Sequence, residues 1–155
     1  MIISRKYFSA GMAALLFLIG GGVQAAIAGD SGFISVQSSS SYNATVSKLR
    51  KMVAKNGMMV LGEINQGKVM NMTGMKLKAI SLFVGNPTVG KKLFTEDSGV
   101  GIVLPVRVNI YERNGVTYVN YFEPSEQLKS FHDKKLVMMG SMLDKKLANM
   151  TSMLR

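Results

Sequence analysis

Val106-Arg-Val-Asn-Ile-Tyr-Glu-Arg-Asn-Gly-Val-Thr-Tyr-Val-Asn-Tyr-Phe122 is two alternating apolar–polar runs on either side of Asn114-Gly115. Asn-Gly between alternating runs is the strongest short-range signal of a β-hairpin, because a two-residue turn of the matching twist needs φ > 0 at both positions. A two-residue loop pairs Arg113 with Val116, Tyr111 with Tyr118, Ile110 with Val119 and Val108 with Tyr121. Val106, Val108, Ile110, Val119 and Tyr121 then share one face, and a one-residue slip would scatter them. The other face carries Arg107, Asn109, Tyr111, Tyr118, Asn120 and Phe122. Such a mixed polar and aromatic face suits a ligand groove, a subunit contact or plain solvent exposure with aromatic cross-strand pairs. Pattern alone leaves those three open.

Outward from the hairpin, the N-terminal side reads as strand, helix, strand, strand and short helix. Phe33-Ile-Ser-Val36 is a first strand. Over 42–55, Val46, Leu49 and Val53 recur at helical spacing, and Asn56-Gly57 ends that helix. Met58-Met-Val-Leu61 is a second strand, 65–78 is irregular or a short helix, and Ala79-Ile-Ser-Leu-Phe-Val84 is a third. Asn86 is placed to cap a short helix running to Phe94, with Pro87 in its first turn. Beyond the hairpin, Ser125 is placed to cap a helix to Phe131. A last helix over 136–154 carries the stripe Leu136, Met139, Leu143, Leu147, Met150 and Leu154. The expected fold is α+β: a two-layer sandwich, mainly antiparallel sheet with helices packed on one face, in a single domain.

The chain begins with the three regions of an export signal. Arg5 and Lys6 precede an apolar run, Met12-Ala-Ala-Leu-Leu-Phe-Leu-Ile19, that falls short of the ~20 residues a spanning helix requires. Ala26-Ile-Ala28 then fits a signal-peptidase site. Residues 1–28 are therefore expected to be a signal peptide cleaved near Ala28. That leaves a periplasmic or secreted domain over 29–155 with no stable membrane span; an uncleaved N-terminal anchor is the alternative. The formal charge of +10 drops to +8 when Arg5 and Lys6 leave. Its lysine pairs (Lys91-Lys92, Lys134-Lys135, Lys145-Lys146) lack interleaved aromatics, so a solvated basic surface is expected and nucleic acid is not. With no cysteine, thiol catalysis, disulfides and cysteine-based zinc sites are excluded.

Catalytic constellations are scarce. His132, the single histidine, sits between Phe131 and Asp133 with no G-x-S-x-G elbow to support a triad, so it is a weak catalytic candidate. Gly99-Val-Gly101 leads to a strand rather than a helix, which disqualifies it as a dinucleotide loop. Methionine is the compositional oddity, with thirteen in the chain. Met70, Met72 and Met75 could present thioethers to Cu(I), a soft ion that an exported chain without cysteine has few other means of holding. The competing reading is that methionine fills irregular apolar gaps. No other cofactor is expected. Asn43-Ala-Thr45, Asn71-Met-Thr73 and Asn149-Met-Thr151 match the glycosylation sequon, a pattern short enough to recur by chance.

Phe83-Val-Gly85-Asn86-Pro87, Gly101-Ile-Val-Leu104-Pro105-Val106, Tyr111-Glu112 and Tyr121-Phe-Glu-Pro124 together resemble the domain-of-unknown-function 302 family, from about Phe33 to Leu154. The resemblance implies a compact α+β domain, usually bacterial, often dimeric and often behind a signal peptide. It implies no established activity. Gly85, Asn86, Pro87, Leu104, Pro105, Tyr121, Pro124 and His132 fall on family-like positions. The chain departs from the family at Val106, where many members carry Cys, and at Asn65-Gln66, where many exported members carry Asp-His. The expected function is an exported, non-enzymatic binding module. A small or amphipathic ligand would lie on the face of Arg107, Asn109, Tyr111, Tyr118 and Asn120, in a monomer or a homodimer. The alternatives are Cu(I) binding at the methionine cluster and an enzyme built on His132.

Overall fold

The computed structural model describes residues 32–155. The export segment read at 1–28 and the mature start near Gly29 lie outside the described residues. In chain order the elements are β1 (Phe33–Ser38), α1 (Tyr42–Lys55), β2 (Met59–Ile64), α2 (Gln66–Asn71), β3 (Ala79–Gly85) and α3 (Pro87–Glu96). A 3₁₀ turn (Ser98–Ile102) then precedes β4 (Val106–Arg113) and β5 (Val116–Phe122), and α4 (Pro124–Leu128), a second 3₁₀ turn (Lys129–Phe131) and α5 (Lys134–Ser152) follow.

The hairpin has the anticipated register. Asn114 and Gly115 take φ of 54° and 78°, the pair of positive values that a two-residue turn of this hand demands. Arg113 faces Val116, Tyr111 faces Tyr118 and Ile110 faces Val119. Val106, Val108, Ile110, Val119 and Tyr121 are all buried.

All pairings are antiparallel and the strand order is β1-β5-β4-β3-β2. β1 and β2 therefore form opposite edges, and α1 must carry the chain across the whole sheet. Four inter-strand steps of ~4.8 Å span ~19 Å. The 14 residues of α1 rise about 21 Å at ~1.5 Å each, so the helix is just long enough. It touches β2, β4 and β5 on the way.

α1 buries Thr45, Leu49, Met52 and Val53, while Val46 is only half-buried. Thr45 can take an interior position because its hydroxyl meets Ser38 Oγ at 2.8 Å and donates to the Ser41 carbonyl at 2.9 Å, which leaves that buried hydroxyl paired. α5 begins before its apolar stripe because Asp133 caps it, accepting from the Lys135 and Leu136 amides at 2.7 and 3.3 Å. Leu136, Leu143, Leu147, Met150 and Leu154 are buried as the stripe requires; Met139 is half-buried.

Ser125 is not a cap. Pro124 occupies the first helical position of α4, where its fixed φ and missing N–H cost nothing, so Glu123 stands at the N-cap position, with no side-chain hydrogen bond to the helix. Ser125 is displaced into the first turn and donates its backbone N–H to Asp144 Oδ1 at 3.3 Å. Glu123 lies beside Asp144 and Glu126, and burial followed by these two carboxylates raises its pKa above the ordinary value.

The core has two parts. One joins the sheet to α1 and α5; the other gathers Leu93, Val100, Val103, Leu128, Leu136 and Leu143 beneath α3 and α4. Leu104 packs against both. At the α4–α5 contact, a Cβ on Gly140 would approach Ser125 Cα at 2.6 Å and Ser125 N at 2.8 Å. Backbone cannot swing away like a flexible side chain. Gly140→Ala is expected to lower stability by about 1–3 kcal/mol through overpacking, read as a shifted urea midpoint; an unchanged midpoint would mean that α4 and α5 are not in this close contact.

Candidate functional site

Alternation along β3, β4 and β5 sends Ser81, Phe83, Arg107, Asn109, Asn120 and Phe122 to the face opposite the α1–α5 core. Register brings them together: Ser81 pairs with Asn109, Phe83 with Arg107, and Asn109 with Asn120. The short α2 adds a contact on this face by extending Gln66 to Ser81.

The side chains form a directed hydrogen-bond network. Gln66 Nε2 donates to Ser81 Oγ at 2.5 Å, and Arg107 Nε donates to the same oxygen at 3.0 Å. Ser81 Oγ donates in turn to Asn109 Oδ1 at 3.1 Å. Asn109 Nδ2 donates to Asn120 Oδ1 at 3.2 Å. The buried serine hydroxyl thus accepts twice and donates once, its full capacity. Among the described residues two groups remain unspent at the open end: the terminal nitrogens of Arg107 and the amide nitrogen of Asn120. Both are donors. Among the described residues Arg107 makes no ion pair. At the covered end, Gln66 Oε1 is buried without a partner.

These donors open into a cavity of about 450 Å³ lined by Phe33, Phe83, Phe122, Arg107, Asn109, Asn120, Tyr121, Gln127 and residues 101–105. Its volume falls in the ~300–1,000 Å³ range of small-molecule sites. Phe33 and Phe122, paired across β1 and β5, meet with ring centroids 5.4 Å apart and planes tilted by 60°.

The five residues predicted to bind ligand divide into two groups. Arg107, Asn109 and Asn120 line the cavity. Tyr111 and Tyr118 stack on each other at 5.4 Å near the hairpin turn, with the Arg113 guanidinium 5.8 Å from the Tyr118 ring centre; they do not line it. Sequence reasoning missed Ser81, Gln66, Phe33 and Phe83 as site residues. A signal for Ser81 was available, since it is the lone hydroxyl within the apolar strand Ala79-Ile-Ser-Leu-Phe-Val84.

A family model described as "Domain of unknown function DUF302" matches residues 34–154. The chain belongs to this family. An uncharacterized conserved DUF302 protein from Bacillus stearothermophilus, known from a crystal structure, is similar with a TM-score of 0.75. The match covers 80% of this chain and 98% of that one at 23% identity, a likeness of fold. No curated protein matches the chain.

In this DUF302 chain the family-like positions gather mostly around a second, apolar slot. Gly85, Asn86, Pro87, Leu104 and Pro105 all line it. Asn86 caps α3 as expected: its Oδ1 accepts from the Val89 amide at 3.0 Å, and its Nδ2 donates to the Gly57 carbonyl at 2.6 Å. The Leu104–Pro105 peptide is cis. Tyr121 is buried, and that burial pushes its phenol above the ordinary pKa. Pro124 is buried at the start of α4.

The remaining candidates lie apart from both cavities. His132 is exposed with φ of 54°, bordering a shallow depression with Lys129, Asp133 and Lys134. The Asp133 carboxylate is committed to capping α5. Met70 is half-buried on α2, and Met72 and Met75 are exposed just after it. Among the described residues no three His, Cys, Asp or Glu side chains are grouped to hold a metal. Of the family departures, Val106 is buried in the core and Asn65 caps α2 through the Lys68 amide at 2.8 Å.

Ser81 is the hub on which this site depends. Ser81→Ala strands Gln66 Nε2, Arg107 Nε and Asn109 Oδ1 at once, and an unmet buried partner typically costs ~1–3 kcal/mol. Urea denaturation should show a loss of about that size; parental stability would mean that the network does not form in solution.

Proposed function

We propose that this protein is an exported, non-enzymatic binding module whose open-face cavity holds a small molecule with a flat apolar body and an anionic or acceptor-rich end. The observation that carries the reading is the polarity of the hydrogen-bond network. Each acceptor in the Ser81–Asn109–Asn120 chain already has a partner, while among the described residues the Arg107 terminal nitrogens and the Asn120 amide nitrogen have none and line the cavity. A ligand satisfying them must supply lone pairs.

Carboxylate, sulfonate or phosphate would do so, with hydrogen bonds to charged groups contributing ~1.5–3 kcal/mol. Phe33, Phe83 and Phe122 offer the ligand's body an apolar wall, and aromatic pairing adds ~0.5–1.5 kcal/mol beyond area burial. Export rests on the N-terminal pattern Arg5-Lys6, apolar run and Ala26-Ile-Ala28. It would place a basic binding protein among the acidic small molecules and polymers of the cell envelope.

Titration calorimetry with 2-naphthoate and its uncharged counterpart 2-naphthol tests the reading. Naphthoate should bind more tightly. Arg107→Leu should weaken it at least ~10-fold, the equivalent of ~1.4 kcal/mol, with little effect on naphthol. Equal affinity for the two compounds would contradict the proposal. So would a loss confined to Tyr118→Leu, which would move the site to the hairpin turn.

A further inference from the structure

We propose that the slot between α3 and the ends of β3 and β4 is a second binding site, taking a single medium-length alkyl chain that terminates in an anion. It is independent of the open-face cavity, although Leu104 and Pro105 line both. The slot's volume is about 230 Å³. That exceeds the ~150 Å³ of a cavity able to hold benzene and falls below the ~300 Å³ at which drug-sized pockets begin. A narrow guest fits such a space. Its walls are Leu61, Val89, Leu93, Phe94, Leu104 and Pro105. Both ends of the Asn86 side-chain amide are already bonded, so it offers a guest little polarity.

Two glycines on the wall show how the room is kept. Gly90 lies inside α3, one turn from both Pro87 and Phe94 on the same face. Glycine is the poorest helix former after proline, and nothing in the chain requires it here. A Cβ on Gly90 would meet no atom within 4 Å, and its φ is not among the positive values. α3 thus gives up helix stability at a slot-lining position where a side chain would meet only open space.

Gly85 meets the opposite condition. A Cβ there would lie 2.9 Å from Leu61 Cδ1 and 3.5 Å from Pro105 Cβ, between two slot residues. Leu61 is the extra residue of a bulge in β2, because Val60 pairs with Val84 and Gly62 with Phe83. Bulges re-aim side chains, and this one lays Leu61 over Gly85 at the slot. Leu61 and Phe94 are 51% and 45% exposed, an apolar rim open to a guest.

The charge at the rim selects the guest's end. Lys91 lines the slot and has no acidic partner among the described residues. An alkyl chain seated between Val89 and Leu104 with its anion beside Lys91 would satisfy both the apolar walls and the cation.

Decanoate and decanol are the probes, added to the purified protein and followed by calorimetry and by methyl NMR shifts of Leu61 and Val89. Decanoate should bind and shift both methyl sets, and Lys91→Glu should weaken decanoate severalfold while sparing decanol. Gly90→Ala should raise the thermal midpoint. Gly90→Leu should weaken decanoate at least tenfold without lowering that midpoint. Gly85→Ala, which adds its carbon between Leu61 and Pro105, should weaken decanoate in the same sense and covers the case in which Gly90→Leu folds poorly. Parental affinity in both Gly90→Leu and Gly85→Ala would overturn the proposal. So would decanoate binding abolished by Arg107→Leu, or attachment to phosphatidylglycerol vesicles with no binding of decanoate in solution.

Discussion

The register of the β4–β5 hairpin is the constraint from which the other features follow. Asn114 and Gly115 supply the two positive φ values, and the turn they close fixes which side chains face inward. Slipping one strand by one residue against the other would turn out either Val106, Val108 and Ile110 or Val119 and Tyr121, and would turn in the polar residues of that strand. Burial of each large apolar side chain contributes ~1.5–3 kcal/mol, so the slipped register loses on every position of the strand that moves. The hairpin also lies at the centre of the sheet, and both flanks inherit its alignment: Val36 pairs with Val119, and Ile80 with Ile110. The site face is therefore a by-product of the core face. Whatever secures Ile110 and Val119 inside also holds Asn109 and Asn120 outside.

Leu104 and Pro105 are the second point of convergence. Leu104 packs against both parts of the core, and the dipeptide lines both cavities just before β4 begins. Proline suits a strand entry because it supplies no ladder N–H. Here it also puts a rigid apolar wall between a polar, donor-ended concavity and an apolar slot. One segment thereby borders two chemically different spaces, and a small domain with a single sheet can present both.

Local chemistry was the most readable part of the sequence. The Asn-Gly turn, the extent of α1, the Asn86 cap and the stripe on α5 each depend on residues within a few positions of one another, and each appears in the fold. The failures are equally specific. Ser125 looked like a cap, but Pro124 claims the first helical position and shifts the boundary. The burial of Thr45 has no signal in the apolar spacing of α1; the nearby Ser38 and Ser41 oxygens make it possible. The candidate site was half visible. Alternation identifies a face, so Arg107, Asn109 and Asn120 could be grouped, yet it carries no information about which end of that face is walled. The wall comes from Phe33 and Phe83 on other strands, and the network's hub and buried anchor come from Ser81 and Gln66. Those neighbours are created by strand order, which the pattern of any one strand does not encode.

The role proposed for the unspent donors of Arg107 and Asn120 is to hold an acceptor-bearing small molecule. Native mass spectrometry of the protein isolated from its own cells, beside an Arg107→Leu variant expressed the same way, tests it most directly. The parent should carry the added mass of a small acidic molecule, and the variant should appear at the bare-chain mass. Bare-chain masses for both, or the same adduct on both, would contradict it.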